Sequence, residues 1–369
     1  MKNISSFWTG VRVECLNRLE AVGVLASCCL LAFCGRGADE AVPPTPSELL
    51  GRFAATQEKQ SSFVLKCEDK VESIGTGRAA AFLLQEAREV RTDGQRCYIH
   101  TLESQGSDGI PNLPMWRLWD GRRMFTYSHS TRPEDDYLII DRISVREANL
   151  ESQGYDQGPS RGYLAQDKER VDVILLQASK SSVRRKTERV GDSDWWVLDA
   201  TTPRGKYVLW LDPRHGDNLA KAEVEKMAGD RDRDTILPKK TFIRASVVNA
   251  RFATVNGVWV PIEAQSTFEI RGPEQWFRAK TSHRITEFLV SPDHRKLDSF
   301  RLMSIRNGAQ VVISGAPKTP AGRWRDGRII DAQGNSVELT GFGYDPLPES
   351  SKGGEKAETN HTKPFRVLK

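Results

Sequence analysis

Asn249-Ala-Arg-Phe-Ala-Thr-Val-Asn-Gly-Val-Trp-Val-Pro-Ile-Glu-Ala-Gln-Ser266 holds two apolar-rich segments separated only by Asn256-Gly257. Asn-Gly accepts the positive φ angles of a type I′ turn, whose twist matches that of two paired strands, so 249–255 and 258–266 read as a β-hairpin. Asp93-Gly94 stands in the same way between 86–92 and 95–103, and Asp120-Gly121 between 116–119 and 122–128. Asn307-Gly308 and Asp326-Gly327 mark two more tips near the C-terminus, and a turn at 191–194 joins 182–190 to 195–200. Tips of this kind between apolar segments predict an antiparallel β architecture.

Working outward, Phe63, Leu65, Cys67 and Val71 alternate with Ser62, Lys66, Glu68 and Lys70, the period-2 pattern of a half-buried strand. Two segments are apolar on both faces, Tyr207-Val-Leu-Trp-Leu211 and Trp195-Trp-Val-Leu198. A sheet with one solvated face should alternate, so either helices cover the second face or it lines an apolar cavity. Two helices are expected. Thr45-Pro-Ser-Glu48 is a capping box with Pro at the first helical position, followed by Leu49, Leu50, Phe53 and Ala54 on one face. Asp167 can cap a second, in which Val171, Ile174, Leu175 and Ala178 follow at helical spacing.

The 369 residues carry 54 basic and 49 acidic side chains, a net charge of +5 spread without a long basic run, so nucleic-acid binding is not indicated. Nine Trp and fourteen Phe within 38% hydrophobic content suffice for a substantial core. Cys15, Cys28, Cys29 and Cys34 lie near the N-terminus, leaving Cys67 and Cys97 in the body. If these two sit in the first and third strands of a meander, about 9–10 Å separates them. A disulfide needs Cα atoms within about 7 Å, so two separate buried thiols are expected.

Residues 21–33 are thirteen uncharged residues, too few for the roughly 20 of a membrane span and suited to the core of an export signal. Leu25-Ala-Ser-Cys28 resembles a bacterial lipobox that would lipidate Cys28, Gly35-Arg-Gly37 suits ordinary cleavage, and an uncleaved N-terminal helix is the third possibility. The expected organisation is a signal over 1–38, a linker over 39–46, a main domain over 47–291, a small β module over 292–345 and a polar, disordered tail over 346–369. The protein is expected outside the cytoplasm, in the periplasm or cell envelope, soluble or membrane-tethered through Cys28.

Catalytic signatures are missing. No Walker A loop, His-Glu-x-x-His, Gly-x-Ser-x-Gly or Cys-x-x-Cys occurs. Asp230, Asp232 and Asp234 space like calcium-loop ligands, but Thr235 and Thr241 replace the required Gly and Glu. Asp212, His215, Asp217 and Asn218 read as a turn closing a strand. No enzyme, metal or cofactor is expected, although a His–carboxylate pair in one cleft would argue for catalysis.

The element order resembles that of the periplasmic lipoprotein carriers of the LolA and LolB type. The similarity covers residues 45–290 and rests on the capped helix, the charged first strand, the meander with one internal helix, and three segments. These are Trp116-Arg-Leu-Trp-Asp-Gly-Arg-Arg-Met-Phe125, Tyr207-Val-Leu-Trp-Leu-Asp-Pro213 and Asn256-Gly-Val-Trp-Val-Pro261. Residues 299–339 depart from it as an added β module. The resemblance implies an α+β, mainly β fold: an incomplete β-barrel covered by an N-terminal and an internal helix, holding acyl chains on its concave face. Phe63, Leu65, Trp119, Phe125, Leu209 and Trp210 are the expected lining. The expected activity is binding of a lipid or lipoprotein acyl chain as a carrier or sensor; the alternative is a non-catalytic envelope scaffold with a filled core.

Overall fold

The computed structural model describes residues 42–76, 81–106, 114–141, 158–190, 193–273, 276–301, 305–314, 321–337 and 365–366. The export segment with Cys28 lies outside these residues, as does the tail from Pro346 apart from Phe365–Arg366. Among the described residues no helix is long and apolar enough to cross a membrane.

Helix α1 spans Pro46–Glu58, and its capping box is fully formed: Thr45 Oγ1 accepts from the Glu48 N–H while Glu48 accepts from the Thr45 N–H. Its apolar stripe Leu49, Leu50 and Phe53 is buried. Then follow β1 (Phe63–Gly75), β2 (Phe82–Thr92), β3 (Cys97–Gln105), β4 (Met115–Trp119), β5 (Met124–Ser128) and β6 (Tyr137–Asp141). Helix α2 (Val171–Leu175) precedes β7 (Lys180–Val183), β8 (Glu188–Val190), β9 (Ser193–Thr202), β10 (Gly205–Asp212) and β11 (Asn218–Lys226). The two-residue strands β12 (Arg231–Asp232) and β13 (Thr235–Ile236) lead to the long strands β14 (Phe242–Val255), β15 (Val258–Arg271) and β16 (Trp276–Val290). The chain ends with β17 (Gln310–Ile313), β18 (Gly322–Arg325), β19 (Arg328–Ile330) and β20 (Phe365–Arg366).

Eighteen of these strands form one sheet. From edge to edge it runs β19, β18, β17, β6, β5, β4, β3, β2, β1, β16, β15, β14, β11, β10, β9 and β7, antiparallel except for the parallel pair β17–β6. No pairing among the described residues joins the two ends, so the sheet is an open barrel, as expected. Within the expected C-terminal module, β17 pairs in parallel with β6 and so joins this sheet. Two residues of the expected disordered tail pair with it too, Phe365 with Phe288 and Arg366 with Glu287.

Asn256-Gly257 and Asp326-Gly327 adopt positive φ at both positions, as a type I′ tip requires, and join β14 to β15 and β18 to β19. At Asp93-Gly94 and Asp120-Gly121 only the glycine does. There the aspartate holds the turn itself: Asp93 Oδ1 accepts from the Gln95 and Arg96 N–H groups, and Asp120 Oδ1 from those of Arg122 and Arg123. Asn307-Gly308 turns the chain into β17 rather than joining two described strands. The 191–194 tip falls partly outside the described residues, though its flanks pair, Val190 with Ser193.

The second helix is shorter than expected. Arg170 is its N-cap residue and makes no side-chain cap bond. Asp167 is instead drawn away to Tyr207 and Lys226, because its carboxylate is buried and takes the partners that burial demands.

Three apolar clusters divide the core. Both helices pack on the inner face of β9, β10, β11, β14 and β15. A second cluster fills the inner face of β1, β2, β3 and β16. A third lies on the opposite face of β3 to β6, where the strands after 305 cover Tyr98, Trp116 and Phe125. Cys67 and Cys97 are buried and unbridged, with β2 between their strands.

Candidate functional site

Inner-facing residues of β1 are odd-numbered: Phe63, Leu65 and Cys67 continue into Asp69, Val71 and Ser73. The face therefore begins apolar and becomes polar. Beyond Cys67 the sheet encloses space rather than packed side chains. A chamber of about 590 Å³ lies between β1, β14, β15, β16 and the segment 159–168, with Ala245, Val247, Phe268, Phe277 and Leu164 in its wall. It shares Val71, Phe82, Arg117, Pro159, Ser266 and Thr281 with a second chamber of about 340 Å³. That chamber in turn shares Asp69, Glu86, Ala264 and His283 with a polar basin of about 720 Å³. Ala245, Ala264 and Ala279 face the space with methyl groups where larger residues would fill it.

The polar end is built by strand register. Asp69 on β1 lies opposite His283 on β16 and Glu86 on β2, and Arg88 lies two pairs further along on the same face, opposite Cys67. Asp69 Oδ1 is 2.6 Å from His283 Nδ1, and Asp69 Oδ2 accepts from Arg88 Nη2 and from Cys67 Sγ at 3.6 Å. Glu86 Oε1 accepts from Ser104 Oγ at 3.2 Å. Burial disfavours the charged form of Asp69, but the adjacent His283 and Arg88 outweigh it and hold this carboxyl below its ordinary pKa. Asp69 is therefore an acceptor only, and His283 Nδ1 must carry the proton. Nε2 of the same ring is buried without a hydrogen-bond partner, while the His283 side chain as a whole borders the smaller chamber and the polar basin.

Cys67, Asp69 and His283 bring one ligand atom each within 4.8 Å of one another, the one grouping of this kind among the described residues. Two features disfavour a cation there. A structural zinc site is closed by four ligands, and the Arg88 guanidinium already occupies Asp69. As a catalytic arrangement, an Asp-oriented imidazole is the base half of a nucleophilic apparatus. The pair meets the condition that would argue for catalysis, yet no hydroxyl or thiol hydrogen-bonds to Nε2. A second pair, His215 Nδ1 with Asp212 Oδ2 at 2.6 Å, closes a turn as the sequence suggested. Its ring stacks on Phe252 and meets Trp259 edge-on, while Asp212 also accepts from Ser193, Trp195 and the Arg214 N–H.

The residues expected to line an acyl site are all buried but dispersed. Phe63, Leu65 and Trp119 come together in the second cluster. Phe125 belongs to the third, on the opposite face, since it pairs with Leu118 while Trp119 pairs with Met124. Leu209 faces the helices, and its neighbour Trp210 faces the other way. None of the six borders the three spaces described. Trp210 also resolves the two-faced strand, by neither of the expected routes: its outer side lies under Lys221, 4.0 Å from the ring centre, beside Arg184, and its Nε1 donates to Glu188. The residues that do border the chambers are mostly small or polar, and the signal that marks them is parity: Asp69 falls on the inward register of β1.

No protein-family model matches the sequence, and no curated protein matches it. Solved structures with a similar fold include a domain from Vibrio parahaemolyticus assigned to outer membrane lipoprotein sorting, 13% identical over 67% of this chain and 92% of that one, with a TM-score of 0.36. A DUF1329 family protein from Desulfovibrio piger is 13% identical over 69% and 98%, with a TM-score of 0.38. The lipoprotein LppX of Mycobacterium tuberculosis is 9% identical over 64% and 94%, with a TM-score of 0.26. These are likenesses of fold, at low identity and low TM-score.

Proposed function

We propose that this is an exported cell-envelope protein that holds a lipid or acyl chain on the inner face of its open sheet, as a carrier or sensor and without catalysis. The observation that carries the reading is the larger chamber. Its volume falls within the range of small-molecule sites, and its wall combines aromatic side chains with alanines that leave room. Each methylene buried there contributes about 0.8 kcal/mol. The scaffold alternative requires a filled core, and the chambers weigh against it. Export rests on the apolar run 21–33, and tethering on Cys28.

Lipid extracted from the purified protein should be identifiable by mass spectrometry, and delipidated protein should bind a fluorescent fatty acid. Ala279→Trp or Ala245→Trp, which place an indole in the chamber, should weaken that binding at least tenfold while circular dichroism stays unchanged. Unaltered binding by both variants would sink the proposal.

A further inference from the structure

We propose that the edge of β16 over 285–290 is an acceptor site for an extended peptide of a partner protein, one with an aromatic residue followed by a basic one. The chain's own Phe365–Arg366 holds that site in cis. The site does not depend on what the chambers hold.

It exists because two neighbouring strands part. β15 and β16 pair from Arg271 with Trp276 as far as Glu263 with Arg284, and no further. Beyond that point each keeps its other neighbour: β15 follows β14 to the tip at Val255 and Val258, while β16 follows β1 to Val290 opposite Phe63. Side chains anchor the split. The Trp259 carbonyl accepts from Gln60 Nε2 at 3.0 Å and from Asn218 Nδ2 at 3.1 Å, and the His215 ring lies against Phe252 and Trp259. These contacts tie the β14–β15 tip to the residues after α1 and to the start of β11.

What the split leaves open is main chain. Ile285, Phe288 and Val290 are buried in one cluster with Val255, Val260 and Ile262, so the inner face under the seam is already packed. An edge of backbone N–H and C=O groups takes an added strand, whose main-chain bonds supply affinity and whose side chains supply choice. The chain itself shows that a strand fits: Phe365 pairs with Phe288 and Arg366 with Glu287, antiparallel. Phe288 and Glu287 also pair with β1, so this strand lies on the β15 side, in the seam. It fills two positions; among the described residues 285, 286, 289 and 290 have no strand partner on that side. A permanent cap would run the length of the edge, whereas so short a strand is marginal by itself. A longer extended peptide makes more bonds and displaces it. The two filled positions give the motif, because residues directly opposite on paired strands share a face and interact. The register sets an aromatic residue across from Phe288 and a basic one across from Glu287.

Fluorescence anisotropy of the full chain with a labelled peptide of residues 361–369, His-Thr-Lys-Pro-Phe-Arg-Val-Leu-Lys, tests this. Phe365→Pro with Arg366→Pro removes both tail N–H groups, so the cis strand cannot pair. This double variant should bind the peptide at least about tenfold tighter than the unaltered chain, which carries a tethered competitor. A peptide in which Ser and Glu replace that Phe and Arg should bind the double variant at least about tenfold more weakly. Amide hydrogen exchange within 285–290 should quicken in the double variant and slow again when the parent peptide is added. Equal peptide affinity for the two proteins, binding to neither, or exchange within 285–290 that ignores the peptide overturns the acceptor site. Equal binding of the two peptides overturns the aromatic–basic motif.

Discussion

Lys226 Nζ lies 2.7 Å from Asp167 Oδ1, and both side chains are fully buried. Lys226 also donates to Asp232 at 2.9 Å, while Asp167 accepts from the Tyr207 hydroxyl at 2.7 Å. The pair ties β11 to the segment that roofs the larger chamber. Removing one partner strands a buried charge, so Lys226→Met should lower unfolding free energy by about 3–5 kcal/mol. Lys226→Met combined with Asp167→Asn removes the fully buried carboxylate too, leaving only the partly exposed Asp232 without this partner, and should recover more than half of that loss. Urea denaturation of the two variants measures both quantities.

Gly162 and Gly121 both hold positive φ, +90° and +97°, yet they should respond differently to alanine. At Gly121 an added Cβ meets nothing within 4 Å, so Gly121→Ala should cost only the backbone term, about 1–2 kcal/mol. At Gly162 it would lie 2.8 Å from Phe53 Cζ and 3.1 Å from Val171 Cγ1, both core side chains of the two helices. Gly162→Ala should therefore cost about 2–4 kcal/mol, with overpacking added to the backbone term. Thermal melts of the two variants side by side give the comparison.

Arg306 grips Asp136 with two nitrogens, Nε at 2.7 Å from Oδ2 and Nη2 on Oδ1, and thereby fastens the strands after 305 to β6. Burial would raise the Asp136 pKa, but hydrogen bonds from Arg306, the Tyr127 hydroxyl and the Ser130 N–H outweigh it and depress the value. A carboxyl with a depressed folded value adds stability above its unfolded pKa, near 4. That stability is lost as pH falls through the folded value. Arg306→Met should lower the urea midpoint at pH 7, and the gap from the unaltered protein should narrow at pH 3. A gap that widens on acidification would contradict the assignment.

Cys67 and Cys97 should both alkylate in denaturant without prior reduction. Peptide mapping after iodoacetamide treatment, with and without reductant, should give the same labelled peptides for the two. A Cys67–Cys97 crosslinked peptide in the unreduced sample would require a different placement of β2.

Local chemistry made the hairpins and α1 legible in the sequence, because Asn256-Gly257 and the Thr45–Glu48 box act on their immediate neighbours. Asp167 misled for the opposite reason. It stands where a cap would, but its partners Tyr207 and Lys226 are 40 and 59 residues away, and no periodicity reveals them. The candidate site was hidden in the same way, since Asp69 and His283 are 214 residues apart. His283 lies within Lys280-Thr-Ser-His-Arg284, which resembles a solvated face. Five of the six lining residues expected from bulk and hydrophobicity went into packed clusters and Trp210 to the outer side, whereas open space lies over alanine, serine and threonine, which no search for large apolar side chains selects.

The pairing of β1 with β16 places Phe63 against Val290 at the centre of the sheet. Everything between them must be in hand before that ladder can close, so the fold is dominated by sequence-distant contacts and should form slowly. β1 can pair with β2 early, but its other edge stays open until residue 290 has followed. The core of the sheet is therefore completed last, when the final long strand arrives.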